Sequence, residues 1–243
     1  MANDDSGPII DHSVTTRDAW LKARVELLDK EKNFSRLRDE LNEQRRALPW
    51  VRLEKKYVFQ TPTGQASLAD LFDGKRQLIV YHFMFSPEQA EGCPHCSFWA
   101  EHFDGTRAHI GQRDTTFSAV SRAPIEKLEA FKRRMGWEFR WVSSDDGDFN
   151  YDFGVSFRPA EQRKASGVYN YRPGESGADR EGVSVFYRGE DGAIYHTYST
   201  YARGIDLLNT TYNYLDLTPK GRDEASSPQA WVRHKDKYAL GQS

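Results

Sequence analysis

Cysteine is nearly absent: the 243 residues hold two, at Cys93 and Cys96, which excludes a disulfide framework. Charge of one sign is also missing. Lys and Arg number 34 against 36 Asp and Glu, so the net charge of −2 gives no general pull toward nucleic acid or anionic membrane. No apolar run nears the length of a membrane span; the best, Leu78-Ile79-Val80-Tyr81, stops at His82. The start, Met1-Ala2-Asn3-Asp4-Asp5, has neither the basic nor the apolar region of a secretory signal, which predicts a cytoplasmic protein. There is no Gly-x-Ser-x-Gly elbow, phosphate loop, dinucleotide fingerprint or internal repeat, and no cofactor is called for.

What is present suits a folded enzyme-sized domain, with 38% hydrophobic, 13% aromatic and 29% charged residues. From about Asp18 to Ala47 there is no Pro or Gly, and Trp20, Leu27, Phe34, Leu37 and Leu41 trace one apolar stripe of a long helix. Thr15-Thr16-Arg17-Asp18 offers an N-cap and a first-turn carboxylate, and Pro49 closes the helix. Its charged face reads as solvated. The pattern then turns to shorter units. Tyr57-Val58-Phe59 is extended, and residues 66–72 read as a helical turn. Residues 77–85 form a central strand apolar on both faces, and Phe98 to Phe103 is helical until Gly105. A strand at 116–121, a helix from Pro124 to Met135 and a strand at 139–142 follow. Residues 158–181 read as a loop insertion. Val183–Arg188 and Ala193–Tyr198 flank Gly189-Glu190-Asp191-Gly192 as a hairpin, and Leu207 to Leu215 is a last helix.

Strand–helix units first and a hairpin last is the ordering of a thioredoxin-like three-layer α/β sandwich. The Tyr57–Phe72 segment ahead of it resembles the leading strand and turn of the peroxiredoxin-like branch. The expected organisation is a helical extension over residues 1–50, packed on the core or on a second subunit, then a thioredoxin-like domain over 51–243 with a polar tail.

Two cysteines placed at random fall three apart about once in a hundred chains, so their spacing is a signal. Cys93 stands just past a strand end, and Pro94 fits the first helical position because its missing N–H is an orphan there anyway. First-turn N–H groups favour a thiolate at Cys93, the attacking species, while Cys96 is placed to resolve a mixed disulfide. His95 as imidazolium lowers the thiolate pKa further, and Glu88 and Glu91 oppose it. Arg122 follows a strand ending on the same sheet edge and is a candidate anion stabiliser. A metal site of Cys93, Cys96, His102 and His109 is a rival reading, though the histidine spacing is outside zinc-finger ranges. Asp146, Asp148, Asn150 and Asp152 alternate like a calcium loop, but Tyr151 holds the glycine position.

Several blocks carry a family resemblance: Gly-Cys-Pro-His-Cys-Ser-Phe-Trp at 92–99, Val-Ser-Arg-Ala-Pro at 120–124, Arg-Met-Gly-Trp at 134–137, Thr-Tyr-Ser-Thr-Tyr-Ala-Arg-Gly at 197–204 and Leu-Asp-Leu-Thr-Pro-Lys-Gly-Arg at 215–222. Together they resemble the bacterial thioredoxin-like family catalogued as domain of unknown function eight-nine-nine. The resemblance runs from about Arg17 to Tyr238. It implies a thioredoxin-like fold, carries the cysteine pair onto Cys93 and Cys96, and brings no reaction with it. Working thioredoxins place a cis-proline just before the hairpin. Glu181-Gly182 occupies that place here, and a cis bond without proline costs about 3 kcal/mol, so the feature is expected to be missing. The Thr-x-x-Cys of peroxiredoxins is missing too, since Ala90 takes the threonine position.

The leading expectation is a thiol–disulfide oxidoreductase acting on a thiol or disulfide, in a protein or a small molecule, with Cys93, Cys96 and His95 at work. A thiol peroxidase using Cys93 and Arg122 is the first alternative. A binding protein that docks through helix 18–47 is the second, and a homodimer is compatible with each.

Overall fold

A computed structural model describes residues 12–145, 147–224 and 227–238. The chain divides into two units, one reaching to Pro49 and including Tyr214–Asp223, the other comprising Trp50–Asn213 and the residues from Glu224 onward.

The first unit is built on α1, Arg17–Arg46. Its start is capped as the sequence predicts, the Ala19 N–H donating to Thr16 Oγ1 at 3.3 Å. Asp18 in the first turn and Arg45 and Arg46 in the last complement the helix dipole. No residue of α1 is buried; Trp20, Leu27, Phe34, Leu37 and Leu41 are 45 to 65% exposed. On the charged face, Arg24 pairs with Glu31 at 2.8 Å, two turns away.

The second unit holds an eight-stranded sheet. Its strands are β1 Val51–Arg52, β2 Val58–Thr61, β3 Gly64–Ser67, β4 Gln77–His82, β5 Thr115–Ser121, β6 Arg140–Ser143, β9 Gly182–Arg188 and β10 Ile194–Tyr201. A separate hairpin is formed by β7 Gly167–Tyr169 and β8 Arg172–Glu175. The sheet order is β1-β10-β9-β4-β5-β6-β2-β3. β4, β5 and β6 run parallel, and β9 is antiparallel to both β4 and β10. This is the thioredoxin-like arrangement, with β6 and the leading β2–β3 hairpin added on the far side. β4 lies between β5 and β9, which is why its residues are apolar on both faces.

The two faces of β4 feed different cores. Leu78 and Val80 join Phe59, Leu71, Phe72, Val120, Phe149 and Phe186 on one side. Tyr81 and Phe83 face an aromatic layer on the other, Tyr81 against Phe103 at 4.9 Å and Phe83 against Trp141 at 4.5 Å between ring centroids. Over this second face lie α2 Pro94–Ala100, α3 Asp104–Gly111 and α4 Ile125–Met135. α4 ends at Gly136, whose φ of 64° a glycine adopts without strain.

Four expectations change. Residues 64–67 pair with β2 as β3, and only Asp70–Phe72 form a helical turn. Gly105 does not end a helix; it sits in the first turn of α3. Residues 158–181 are not a loop. They contain α6 Pro159–Lys164, which follows the short α5 Phe149–Asp152, and then the β7–β8 hairpin. Asn170 and Tyr171 turn that hairpin with φ of 48° and 62°, the left-handed geometry that two-residue hairpins require. The last helix is split into a 3₁₀ turn at Ala202–Leu208 and α7 at Thr210–Leu215.

Candidate functional site

The dithiol segment starts at Gly92. A Cβ there would stand 2.9 Å from the rings of Phe83 and Phe131, so only glycine lets the chain pass. The Gly92 carbonyl is held by buried His234, whose Nε2 lies 2.8 Å away. Cys93 is the N-cap of α2 and Pro94 its first residue. The Ser97 N–H and hydroxyl both reach the Cys93 carbonyl, each at 2.9 Å. The Cys93 N–H donates to the Met84 carbonyl at 3.1 Å and the Met84 N–H to Cys96 Sγ at 3.4 Å, tying the motif to the chain after β4.

Both cysteines are free thiols, 4.1 Å apart. They are not equivalent. Cys93 is half-buried and pulled down to about 7, first by a hydrogen bond from Cys96 and then by the backbone N–H groups of Cys96 and His95, against burial and the charge of Glu181. Cys96 is 2% exposed and pushed well up by burial, by Cys93 and by Glu181. From the sequence, the acidity of Cys93 was expected to come from the first-turn N–H groups and from the His95 imidazole. That ring is exposed at the cavity, and it is the His95 main-chain N–H that acts on the sulfur. The opposing carboxylate is Glu181; Glu91 is drawn to Arg134 and to Lys237, the latter at 2.6 Å.

The pair opens into a cavity of about 390 Å³. Tyr81, Tyr169 and Glu181 line it, and sequence reasoning singled out neither tyrosine. Glu181 stands where thioredoxins carry cis-proline, and no peptide bond among the described residues is cis. Its position is set by Tyr169 of β7, whose hydroxyl lies 2.9 Å from the Glu181 carbonyl and 3.2 Å from Oε1, and accepts the Ala202 N–H at 3.0 Å. The insertion thus delivers one wall of the cavity. Tyr81 is 0% exposed and its hydroxyl meets no hydrogen-bonding partner, a condition that costs about 1–3 kcal/mol. The period of two along β4 is the signal that could have found it, since Tyr81 and Phe83 share the face opposite Leu78 and Val80.

Other candidates are engaged elsewhere. Arg122 does not line this cavity; its Nε and Nη2 meet the Asp179 carboxylate at 2.9 Å each. His102 lies 3.1 Å from the Thr211 hydroxyl. Asp148 and Asp152 meet Lys55 at 2.8 and 2.6 Å, and Asp146 lies outside the described residues. Among the described residues, no cluster of three His, Cys, Asp or Glu could hold a metal ion, and no helix is long and apolar enough to cross a membrane.

Residues 9–238 match the model of a family described as bacterial protein of unknown function, DUF899. The chain is a DUF899 protein. No curated protein matches its sequence. Solved structures similar to this DUF899 chain include peroxidoxin BcpB from Mycobacterium tuberculosis, 13% identical, with a TM-score of 0.46 over 69% of this chain and 97% of that one. Another is a variant of PrxQ from Xylella fastidiosa, 13% identical, TM-score 0.39, covering 65% and 89% of the two chains. A third, from Chlorobium tepidum, is assigned as a thiol:disulfide interchange protein DsbE, 14% identical, TM-score 0.39, covering 63% and 86%.

Proposed function

We propose that this DUF899 protein is a thiol–disulfide oxidoreductase that reduces a disulfide substrate at Cys93 and Cys96. The observation that carries the reading is the asymmetry of the two thiols. One is half-buried with its acidity moved to about 7, and its neighbour 4.1 Å away is buried and held protonated. A nucleophile poised near neutral pH beside a protected resolver is what stepwise exchange requires.

The Cys93 thiolate attacks one sulfur of the substrate disulfide, forming a mixed disulfide and expelling the first thiolate. Cys96 then gives up its proton and attacks Cys93 Sγ, expelling the second. The pair is oxidised by two electrons and the substrate disulfide is reduced to two thiols. Of the two carboxylates that line the cavity, Glu181 and Asp206, Glu181 is the one whose charge raises both thiols in the resting state, and it can take the Cys96 proton. In a compartment where thiols are kept reduced, the reaction runs toward reduction of substrate. The peroxidase alternative is less well supported, because its anion stabiliser, Arg122, is bonded to Asp179.

Trapping tests the proposal. Cys96→Ser is expected to accumulate mixed disulfides through Cys93 that thiol reductant releases. If Cys96→Ser traps nothing, while the unaltered protein consumes hydroperoxide, the peroxidase reading takes its place.

A further inference from the structure

Tyr81 presents an unpaired hydroxyl in a place where phenylalanine would pack as well. Its ring is held among Phe83 and Phe103, at 6.2 and 4.9 Å between centroids, and is completely buried. The oxygen finds no partner while both cysteines are thiols. It nevertheless lines the dithiol cavity together with Cys93 and Cys96. Cys96 Sγ accepts the Met84 N–H at a long 3.4 Å, and its own proton is directed at Cys93. Once that proton leaves, a buried sulfur anion needs further donors, because burial alone disfavours its charge.

We infer that the Tyr81 hydroxyl donates to the sulfur anion that forms on Cys96 as it attacks the Cys93 mixed disulfide. The inference rests on the dithiol reading above. In this step the Cys96 proton passes to the Glu181 carboxylate. The Cys96 Sγ–Cys93 Sγ bond forms as the bond from Cys93 Sγ to the substrate sulfur breaks. The electron pair departs on the substrate thiolate, and solvent protonates it. Tyr81 keeps its own proton throughout. Its hydroxyl is idle in the thiol state and gains a partner only as charge reaches Cys96, so it favours the reacting state over the resting one.

A chromogenic aromatic disulfide separates the two sulfur attacks in the full-length protein. The first equivalent of coloured thiolate reports attack by Cys93, and the second reports closure by Cys96. Tyr81→Phe keeps the ring and deletes the oxygen. The first release is expected to stay within about twofold and the second to slow by about tenfold or more, the scale of one hydrogen bond to a charged group. A second release within twofold of the unaltered protein, or an equal slowing of both phases, overturns the inference and leaves the dithiol reading standing. If the unaltered protein releases neither equivalent, the dithiol reading falls and this inference with it.

Discussion

Cys93 and Cys96 are one helical turn apart yet live in different media, and Glu181 bears on both. Removing its charge is expected to move the two steps of exchange in opposite directions, quickening attack by Cys93 and slowing closure by Cys96. In Glu181→Gln, Cys93 loses a neighbour that raises it, so alkylation by iodoacetamide at pH 6 should quicken by a few-fold. Closure of the mixed disulfide should slow in the same variant, because the proton acceptor for Cys96 is gone. Alkylation rates against pH and release of the second substrate thiol measure the two effects separately. Slowing of both would show a general distortion of the cavity. The motif itself was legible in the sequence from spacing and Pro94. Glu181 was legible only as an occupant of the cis-proline position, since nothing local shows that a carboxylate so far along the chain faces the dithiol.

At the scale of elements, the approach to α2 is governed by crowding. The segment between β4 and α2 passes between two aromatic rings, and Gly92 is the residue that fits. Gly92→Ala places a Cβ 2.9 Å from Phe83 and Phe131, and the rings are locked in the aromatic layer. Overpacking of this kind costs about 1–3 kcal/mol, so the urea midpoint should fall measurably. Cys93 alkylation should change too, because Gly92 carries the carbonyl held by His234. A variant with unaltered midpoint and unaltered alkylation would mean that the rings yield freely. Helix and strand order were legible from hydrophobic period and from Pro and Gly punctuation. The β7–β8 hairpin was not. Its strands are short, and its turn puts Tyr171 at a positive φ that sequence patterns do not assign to tyrosine.

For the molecule as a whole, buried imidazoles set the response to acid. His82 is 1% exposed, bonded through Nε2 to Ser184 at 2.8 Å, and burial pushes it down to about 3. His102 and His196 are lowered by burial as well. Each takes up a proton less readily in the fold than once unfolded, where its ordinary value is about 6.5. The stability they contribute is therefore complete above about pH 6.5 and is lost as pH falls toward the folded values. From His82 alone the loss by pH 4.5 is expected to be about 2–3 kcal/mol. Urea titrations at pH 7 and pH 4.5 measure it, and a stability unchanged over that interval would show that His82 is accessible to protons in the fold. The lowered carboxylates, Asp70, Glu91 and Asp236 among them, act at more acidic pH.

By itself the sequence determined the order of the central strands and helices, a long helix from about Asp18 to Ala47, the membership in DUF899 and the location of a two-cysteine motif at a strand-to-helix junction. These are properties of neighbours in the chain: hydrophobic period, caps, breakers and spacing. Tertiary structure decided which groups act on the sulfurs. It brought Tyr81, Tyr169 and Glu181 to the cavity that the cysteines line, and drew Arg122 to Asp179. Those choices depend on sheet register and on how an inserted hairpin closes, where a shift of one residue would present the opposite face. Packing sets them, and residues near in the chain carry no record of it.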